Sequence, residues 1–336
     1  MTQTQTKMKM ADLYDRLAAI GFPKKFVQQK ILPNWWTDEV DQTPGVLTEG
    51  ALYISRRLNL DMQSLLDNKP HLEFKTPYQP KFKLKVGTDT DRLTIPYVIS
   101  ARIAEMVAYA CKKPYQPLDS ISVSAIRQDI LSHQNSVNLQ GFLDYCWGRG
   151  IPVIHFDEFP PKVHKFDGMV AYFYDHPVIL LSLKAKSPSR LLFIAAHELG
   201  HILRGHLTQE KLLVDEQINL ESPDQEEVEA NEVAVKLLFG AIDSDYYSPQ
   251  DYTAQQLAKY AQNISANERV DAGVVARNYG WHKKHHYGSV EGAMKILEPN
   301  ANAPQEINRY LAQNLDWEKL GDDNQDYLTA MLNLCG

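Results

Sequence analysis

The chain has 336 residues, 44% hydrophobic and 23% charged, which is ordinary for a globular protein of about two domains. Its net charge of −7 excludes a protein that coats nucleic acid or an acidic membrane with its whole surface. The widely spaced Cys111, Cys146 and Cys335 predict buried thiols rather than disulfides or a thiolate zinc site. Because neither a signal peptide nor a membrane span of roughly 20 apolar residues is apparent, we expect a cytoplasmic protein with no membrane partner.

Residues 1–67 are predicted to form a helical module, because apolar residues recur there at helical spacing. Up to residue 85 the chain has 13 Lys and Arg against 9 Asp and Glu. This balance leaves DNA binding by a divergent helix-turn-helix as one interpretation. Asp38 and Glu39 disfavour contact with phosphate, so binding of a protein is the alternative. The neighbouring Trp35 and Trp36 are interpreted as core of a small domain rather than as a recognition knob.

A Pro- and Lys-rich stretch at 68–94 is the predicted linker. It is followed by a predicted α+β domain at 95–250 and a helical C-terminal region at 251–336. Within the domain, the pattern predicts helices at 95–113, about 120–132 and 137–148, a strand in 151–156, and an antiparallel pair in 167–183 with its turn at Asp175-His176-Pro177. Five further helices are predicted after residue 252.

The segment SPSRLLFIAAHELGHILRGHL predicts a metal-binding helix. Ser187 is a suitable N-cap, and the residues that follow are apolar almost all round, so the helix should be buried. His197 and His201 are four residues apart and therefore share one face, where both imidazoles can reach a single ion. Glu198 points to a neighbouring sector, which suits a general base acting on a water activated by zinc.

A third ligand is predicted in ESPDQEEVEANEVAVKLLFG, where a helix capped by Ser222 is expected. Glu227 heads the core-facing stripe of this helix, and two His plus one Glu is a ligand set of catalytic zinc, here one Zn²⁺ per chain. Glu226 and Glu229 are the competing carboxylates, although their positions favour a solvated face. Asn231, one turn after Glu227, is predicted to orient a ligand imidazole by a hydrogen bond.

Other residues are assigned to the same predicted site. Gly200 would allow a crossing helix to approach closely. Tyr172, Tyr174 and His206 are candidates for stabilising an oxyanion, with packing or surface exposure as the competing interpretation of each. The hairpin at 169–183 is a candidate edge for an extended substrate.

A separate cluster, WHKKHHYG, contains His282, His285 and His286. We favour a pH-sensitive surface segment over a second metal site there, because no Cys or carboxylate accompanies the histidines at ligand spacing.

The segments FLDYCWGRGIPVI, DGMVAYFYDHPVILLSLKAKSPSRLLFIAAHELGHILRGH and EEVEANEVAVKLLF resemble the ImmA/IrrE family of metallopeptidases. The resemblance covers roughly residues 118–240, with weaker likeness to about 280. It implies a zincin-like fold, a small antiparallel or mixed sheet with active-site helices, flanked here by helical regions. The family pattern falls on the following residues: Arg190, His197, Glu198, His201, Glu227 and Asn231.

Members of this family are typically cytoplasmic and cleave helix-turn-helix repressors in phage-like elements, toxin–antitoxin pairs and stress responses. The resemblance therefore implies a zinc-dependent endopeptidase acting on a regulatory protein, a repressor or antitoxin. This chain departs from the family in having LLFGAIDSDYY after the second motif, and in its extra length at both ends. Alternatives are a non-catalytic regulator that uses the metal fold as a scaffold and binds DNA or protein through its N-terminal helices, and a broad peptidase.

Overall fold

The computed structural model describes residues 8–67, 71–75, 81–83, 94–163, 165–207, 213–215, 218, 224–242, 246, 248–283 and 286–334. Its architecture is mixed α+β, as predicted, with a small sheet enclosed by helices. The helices are α1 (Met10–Ala19), α2 (Lys24–Phe26), α3 (Val46–Leu58), α4 (Met62–Leu66), α5 (Thr94–Ala110), α6 (Val123–His133), α7 (Leu139–Gly148), α8 (Pro188–Leu203), α9 (Gln225–Phe239), α10 (Ala254–Glu268), α11 (Ala272–His282), α12 (Tyr287–Leu297), α13 (Ala303–Asn314) and α14 (Asp322–Leu332). The strands are β1 (Lys81–Lys83), β2 (Val153–His155), β3 (Gly168–Phe173), β4 (His176–Leu181) and β5 (Leu213–Asp215).

The sheet has the strand order β1-β5-β3-β4-β2. The central β3 is antiparallel to both β4 and β5, whereas β2 pairs with β4 in parallel. The turn between β3 and β4 is formed by Tyr174 and Asp175, whose φ angles of 47° and 61° give the two-residue type that matches strand twist. The turn thus lies slightly earlier than predicted, and β4 already begins at His176.

The hairpin is covered on its outer sides in the half that includes Gly168. There Gly168–Val170 pair with β5 and Ile179–Leu181 pair with β2, whereas towards the turn the described strands pair only with each other. One outer edge of the sheet belongs to β2, and there the Asn308 side chain of α13 satisfies the backbone of His155. It accepts a hydrogen bond from the His155 N–H at 3.0 Å and donates one to the His155 carbonyl at 2.9 Å.

Two helices cover the centre of the sheet. Both α5 and α8 pack against β3 and β4, and these strands are buried on both faces. This burial explains why α5 and α8 are apolar on most sides, since each lies between the sheet and other helices. On its other side α8 contacts α9, α7 and α11, and α9 in turn packs on α6.

The N-terminal helices share a core with the rest of the chain. Trp36 is buried, as predicted, and its indole N–H donates to Asp41, whereas Trp35 is 53% exposed. The buried Arg57 guanidinium on α3 donates to the carbonyls of Ile31 and Asp323 and so connects this region with α14.

The cysteine prediction is confirmed where the structure describes it. Cys111 and Cys146 are buried free thiols, and burial raises the pKa of each. Cys335 lies outside the described residues.

Candidate metal centre

The helix α8 carries the first predicted motif in a dry environment. Ser187 caps the helix by accepting from the Arg190 backbone N–H at 3.4 Å, and Pro188 occupies the first helical position, as predicted. His197, Glu198 and His201 are each 0% exposed. Burying three such polar side chains is costly unless polar or ionic partners compensate for the lost water.

The helix α9 carries the second motif and begins later than predicted. Its N-cap is Asp224, whose carboxylate accepts from the Glu226 backbone N–H at 2.9 Å, whereas the predicted cap Ser222 lies outside the described residues. The difference arises because Asp is as good a cap as Ser, so the sequence offers two nearby starts. Glu227 and Asn231 are buried on the side of α9 that faces α8.

Gly200 explains how close the two helices come. A Cβ at this position would lie 2.8 Å from both the Cα and the carbonyl oxygen of Ala230 on α9. A larger residue would push the helices apart, so the predicted steric role of Gly200 is confirmed.

The close crossing brings three side chains to one point. The Nε2 atoms of His197 and His201 are 3.0 Å apart, and each lies 3.4 Å from a carboxylate oxygen of Glu227. Burial favours the neutral acid, but hydrogen bonding and attraction by the two imidazoles outweigh it and hold the pKa of Glu227 far below its usual range. This buried group of two nitrogens and one carboxylate fits a metal ion, and its donor set is one that zinc uses.

Asn231 lies where the sequence placed it, beside a ligand imidazole. Its Oδ1 is 2.9 Å from His197 Nδ1. An amide oxygen can only accept, so Nδ1 carries the proton and the Nε2 lone pair faces the cluster.

Glu198 sits beside the cluster and against the sheet. Its carboxylate packs directly over Gly168, the first residue of β3, where a Cβ would overlap it. Gly168 has no recognisable signature in the sequence, because only the packing of α8 on β3 reveals its role.

The structure places His206 differently from the prediction of an oxyanion donor. Its Nδ1 lies 2.9 Å from His201 Nδ1 and its Nε2 lies 3.1 Å from Glu229 Oε2, so both ring nitrogens are engaged behind the cluster. Burial lowers the pKa of His206, with Glu229 opposing the effect. The rival carboxylate Glu229 therefore contacts His206, and neither it nor Glu226 joins the metal-compatible group found among the described residues.

Tyr172 and Tyr174 are not brought to the site. They lie near the opposite end of β3 from Gly168, about 13 Å along the strand for Tyr172. Tyr172 packs on Tyr115, and the exposed Tyr174 packs on Tyr109. The structure therefore favours the competing interpretations, packing for Tyr172 and surface exposure for Tyr174, because strand direction carries both away from Glu198.

Two other features lie apart from this cluster. In the second histidine group, His286 and Lys283 contact Asp251 at 3.3 and 2.9 Å, while His285 lies outside the described residues.

A cavity of about 860 Å³ lies between β2, α13 and α14, and none of the predicted site residues line it. This cavity and the cluster of His197, His201 and Glu227 are therefore at different places.

A family comparison agrees with this geometry. Residues 149–276 match the model of the IrrE N-terminal-like domain, peptidase family M78. The resemblance of this segment to the ImmA/IrrE family of metallopeptidases is thus confirmed. The match includes both motif helices, and the α+β arrangement around them is the zincin-like fold expected of an ImmA/IrrE domain. No curated protein matches the chain.

The match ends within α11, so it includes α10, which packs on α11 and α12. Among the described helices, none is long and apolar enough to cross a membrane.

Proposed function

We propose that the protein is a zinc-dependent endopeptidase in which His197, His201 and Glu227 hold one zinc ion. The observation that carries the proposal is the convergence of two Nε2 atoms and a carboxylate within 3.4 Å in a buried site. A catalytic zinc site with three protein ligands leaves a coordination position open for chemistry. Membership in a metallopeptidase family supports the same conclusion.

Glu198 is proposed as the general base. A bound zinc supplies Lewis acidity, which makes water acidic near neutral pH and polarises a carbonyl. Glu198 follows His197 directly on α8, beside the cluster, and its carboxylate accepts the proton of the attacking water. The same carboxylate then delivers that proton to the leaving amine. Gly168 fixes the carboxylate from the opposite side, and Asn231 fixes the ring of His197.

The proposed substrate is a regulatory protein in the cytoplasm, a helix-turn-helix repressor or an antitoxin. This part of the proposal is supported by the ImmA/IrrE resemblance of the motif segments. Because Gly168–Val170 are already paired with β5, the substrate does not add as a strand to that part of β3.

The test compares the wild-type chain with Glu198→Gln on a panel of helix-turn-helix proteins that includes any encoded beside this gene. We expect both proteins to purify with near-stoichiometric zinc and only the wild type to cleave. Glu232→Gln, on the same helix as Glu227, removes a carboxylate outside the cluster and should cleave normally. Cleavage by Glu198→Gln at the wild-type rate would remove Glu198 from the mechanism.

Two further results would favour the other functions. A zinc-loaded chain that binds DNA or the partner protein without cleaving it would be a scaffold regulator. Digestion of unfolded casein at a comparable rate would indicate a broad peptidase.

A further inference from the structure

His201 has two ring nitrogens, and only Nε2 faces the proposed metal site, whereas Nδ1 faces His206. We propose that His206 and Glu229 form a relay that fixes the tautomer and orientation of His201, and so set the affinity of the site for zinc. This inference rests on the proposed function, because it takes His201 Nε2 as a zinc ligand. It adds two positioning residues that do not contact the metal themselves.

The end of helix α8 shows why His206 can reach His201. Gly205 has a φ of +68°, a left-handed conformation that glycine adopts without steric cost, and it turns the chain back at the helix end. The His206 backbone N–H then donates to the His201 carbonyl at 3.0 Å. This bond holds the His206 side chain beside the ring it is proposed to orient.

The hydrogen bonds allow one consistent arrangement of protons. If Nε2 of His201 presents its lone pair to zinc, its Nδ1 carries the proton and donates to His206 Nδ1. His206 must then carry its own proton on Nε2, which donates to Glu229. The other carboxylate oxygen of Glu229 accepts from Gln225 at 3.0 Å, so the end of the relay is anchored on α9.

The two proposed imidazole ligands are therefore supported in different ways. His197 donates to the neutral amide of Asn231, whereas His201 donates to an imidazole that is itself polarised by a carboxylate. A stronger acceptor at Nδ1 makes Nε2 a better electron donor. The relay also links the end of α8 to the first turns of α9, the two helices that carry all three proposed ligands.

The test measures zinc affinity by competition with a chelator, and ligand geometry from the visible spectrum of the Co²⁺-loaded full chain. His206→Leu removes the acceptor, and we expect zinc affinity to fall by roughly 10–100-fold, the usual effect of losing such a partner. His206→Asn keeps an acceptor near the position of Nδ1, so it should recover a large part of that loss. Glu229→Ala should weaken binding less than His206→Leu, and Glu232→Gln is the matched control on α9.

Wild-type zinc affinity and an unchanged Co²⁺ spectrum in His206→Leu would overturn the relay. An Asn variant as weak as the Leu variant would also overturn it, because loss of packing would then explain the effect. The thermal midpoint of each metal-free protein shows whether it is folded, and Glu229→Ala tests the relay if His206→Leu is not. Failure of the proposed function would look different, since the wild-type chain itself would then bind no zinc or Glu198→Gln would still cleave.

Discussion

The carboxylate of Glu198 lies directly over the backbone of Gly168, so the proposed general base on α8 is held by the first residue of the central strand. A helix motif alone fixes the position of the Glu198 Cα, whereas the sheet fixes the position of its oxygens. Gly168 pairs with Leu181, which also pairs with His155, so three adjacent strands support this contact.

Gly168→Ala should therefore impair catalysis while sparing the metal. The new methyl group overlaps the carboxylate of Glu198 and must displace it. Because a misplacement of about 1 Å can cost on the order of 100-fold, we expect a loss of that size in kcat with near-normal zinc affinity. Gly148→Ala is the matched control, since a Cβ there meets nothing within 4 Å. Unchanged cleavage by Gly168→Ala would mean that the position of Glu198 is not limiting.

Gly200→Ala should lower both the stability of the protein and its affinity for zinc. An added Cβ would lie 2.8 Å from backbone atoms of Ala230, so α8 and α9 must separate and the Glu227 carboxylate must move from the imidazoles. We expect a destabilisation of about 1–3 kcal/mol in urea unfolding and weaker zinc binding. At a helical site with free space, replacing Gly by Ala raises the free energy of unfolding by up to about 1 kcal/mol. Gly148→Ala should therefore stabilise the protein. A stabilised Gly200→Ala variant would contradict the close crossing.

Arg127→Met should destabilise the fold around α9. The buried Arg127 guanidinium donates to the carbonyls of Leu237 and Leu238 at 2.8 Å each, and to those of Glu268 and Arg269 at 3.2 and 3.0 Å. These carbonyls end α9 and α10, where no further helical N–H is available. Removing their donor should cost about 3 kcal/mol in unfolding free energy. Arg56 is exposed, so Arg56→Met should change the free energy of unfolding by no more than about 0.5 kcal/mol. An equal effect of the two substitutions would refute the capping role of Arg127.

Asp271 should make stability decrease as pH rises from about 4 to 6. Burial raises its folded-state pKa to about 6, so the unfolded chain ionises first and is favoured over this interval. The loss in unfolding free energy is at most about 3 kcal/mol, because the side chain keeps some exposure. Above pH 6 the loss does not increase further. Asp271→Asn retains an oxygen to accept from the Val274 N–H, the bond that caps α11. In this variant the unfolding free energy should change less with pH, and the variant should be more stable than the wild type at pH 7. A pH profile as steep as that of the wild type would exclude Asp271 as the source of the pH dependence.

Local sequence pattern was sufficient to predict which side chains converge on α8 and α9. The four-residue spacing of His197 and His201 predicted that they share a helix face, and the apolar stripe of α9 predicted that Glu227 points inward. The structure brings these three side chains together and sets Asn231 against His197. Helix caps were less certain because Ser222 and Asp224 are both good capping residues.

Features that depend on distant pairing were missed. The three-residue β5 has no pattern of its own, yet its pairing with Gly168–Val170 covers half of the expected free edge of β3. Tyr172 was placed near the site by sequence proximity, although each residue along β3 carries the chain roughly 3.3 Å further from Gly168. His206 was correctly placed near the motif, but only the turn at Gly205 shows that it faces His201 from behind.

Asn308 has a consequence for how the edge of the sheet is kept from pairing with other chains. Its amide imitates a neighbouring peptide bond and occupies the last donor and acceptor of His155 on β2. Shortening the chain before α13 would uncover that strand, and exposed strand edges recruit other polypeptides. The helix α13 thus protects this edge of the sheet from pairing with other chains and so from aggregation.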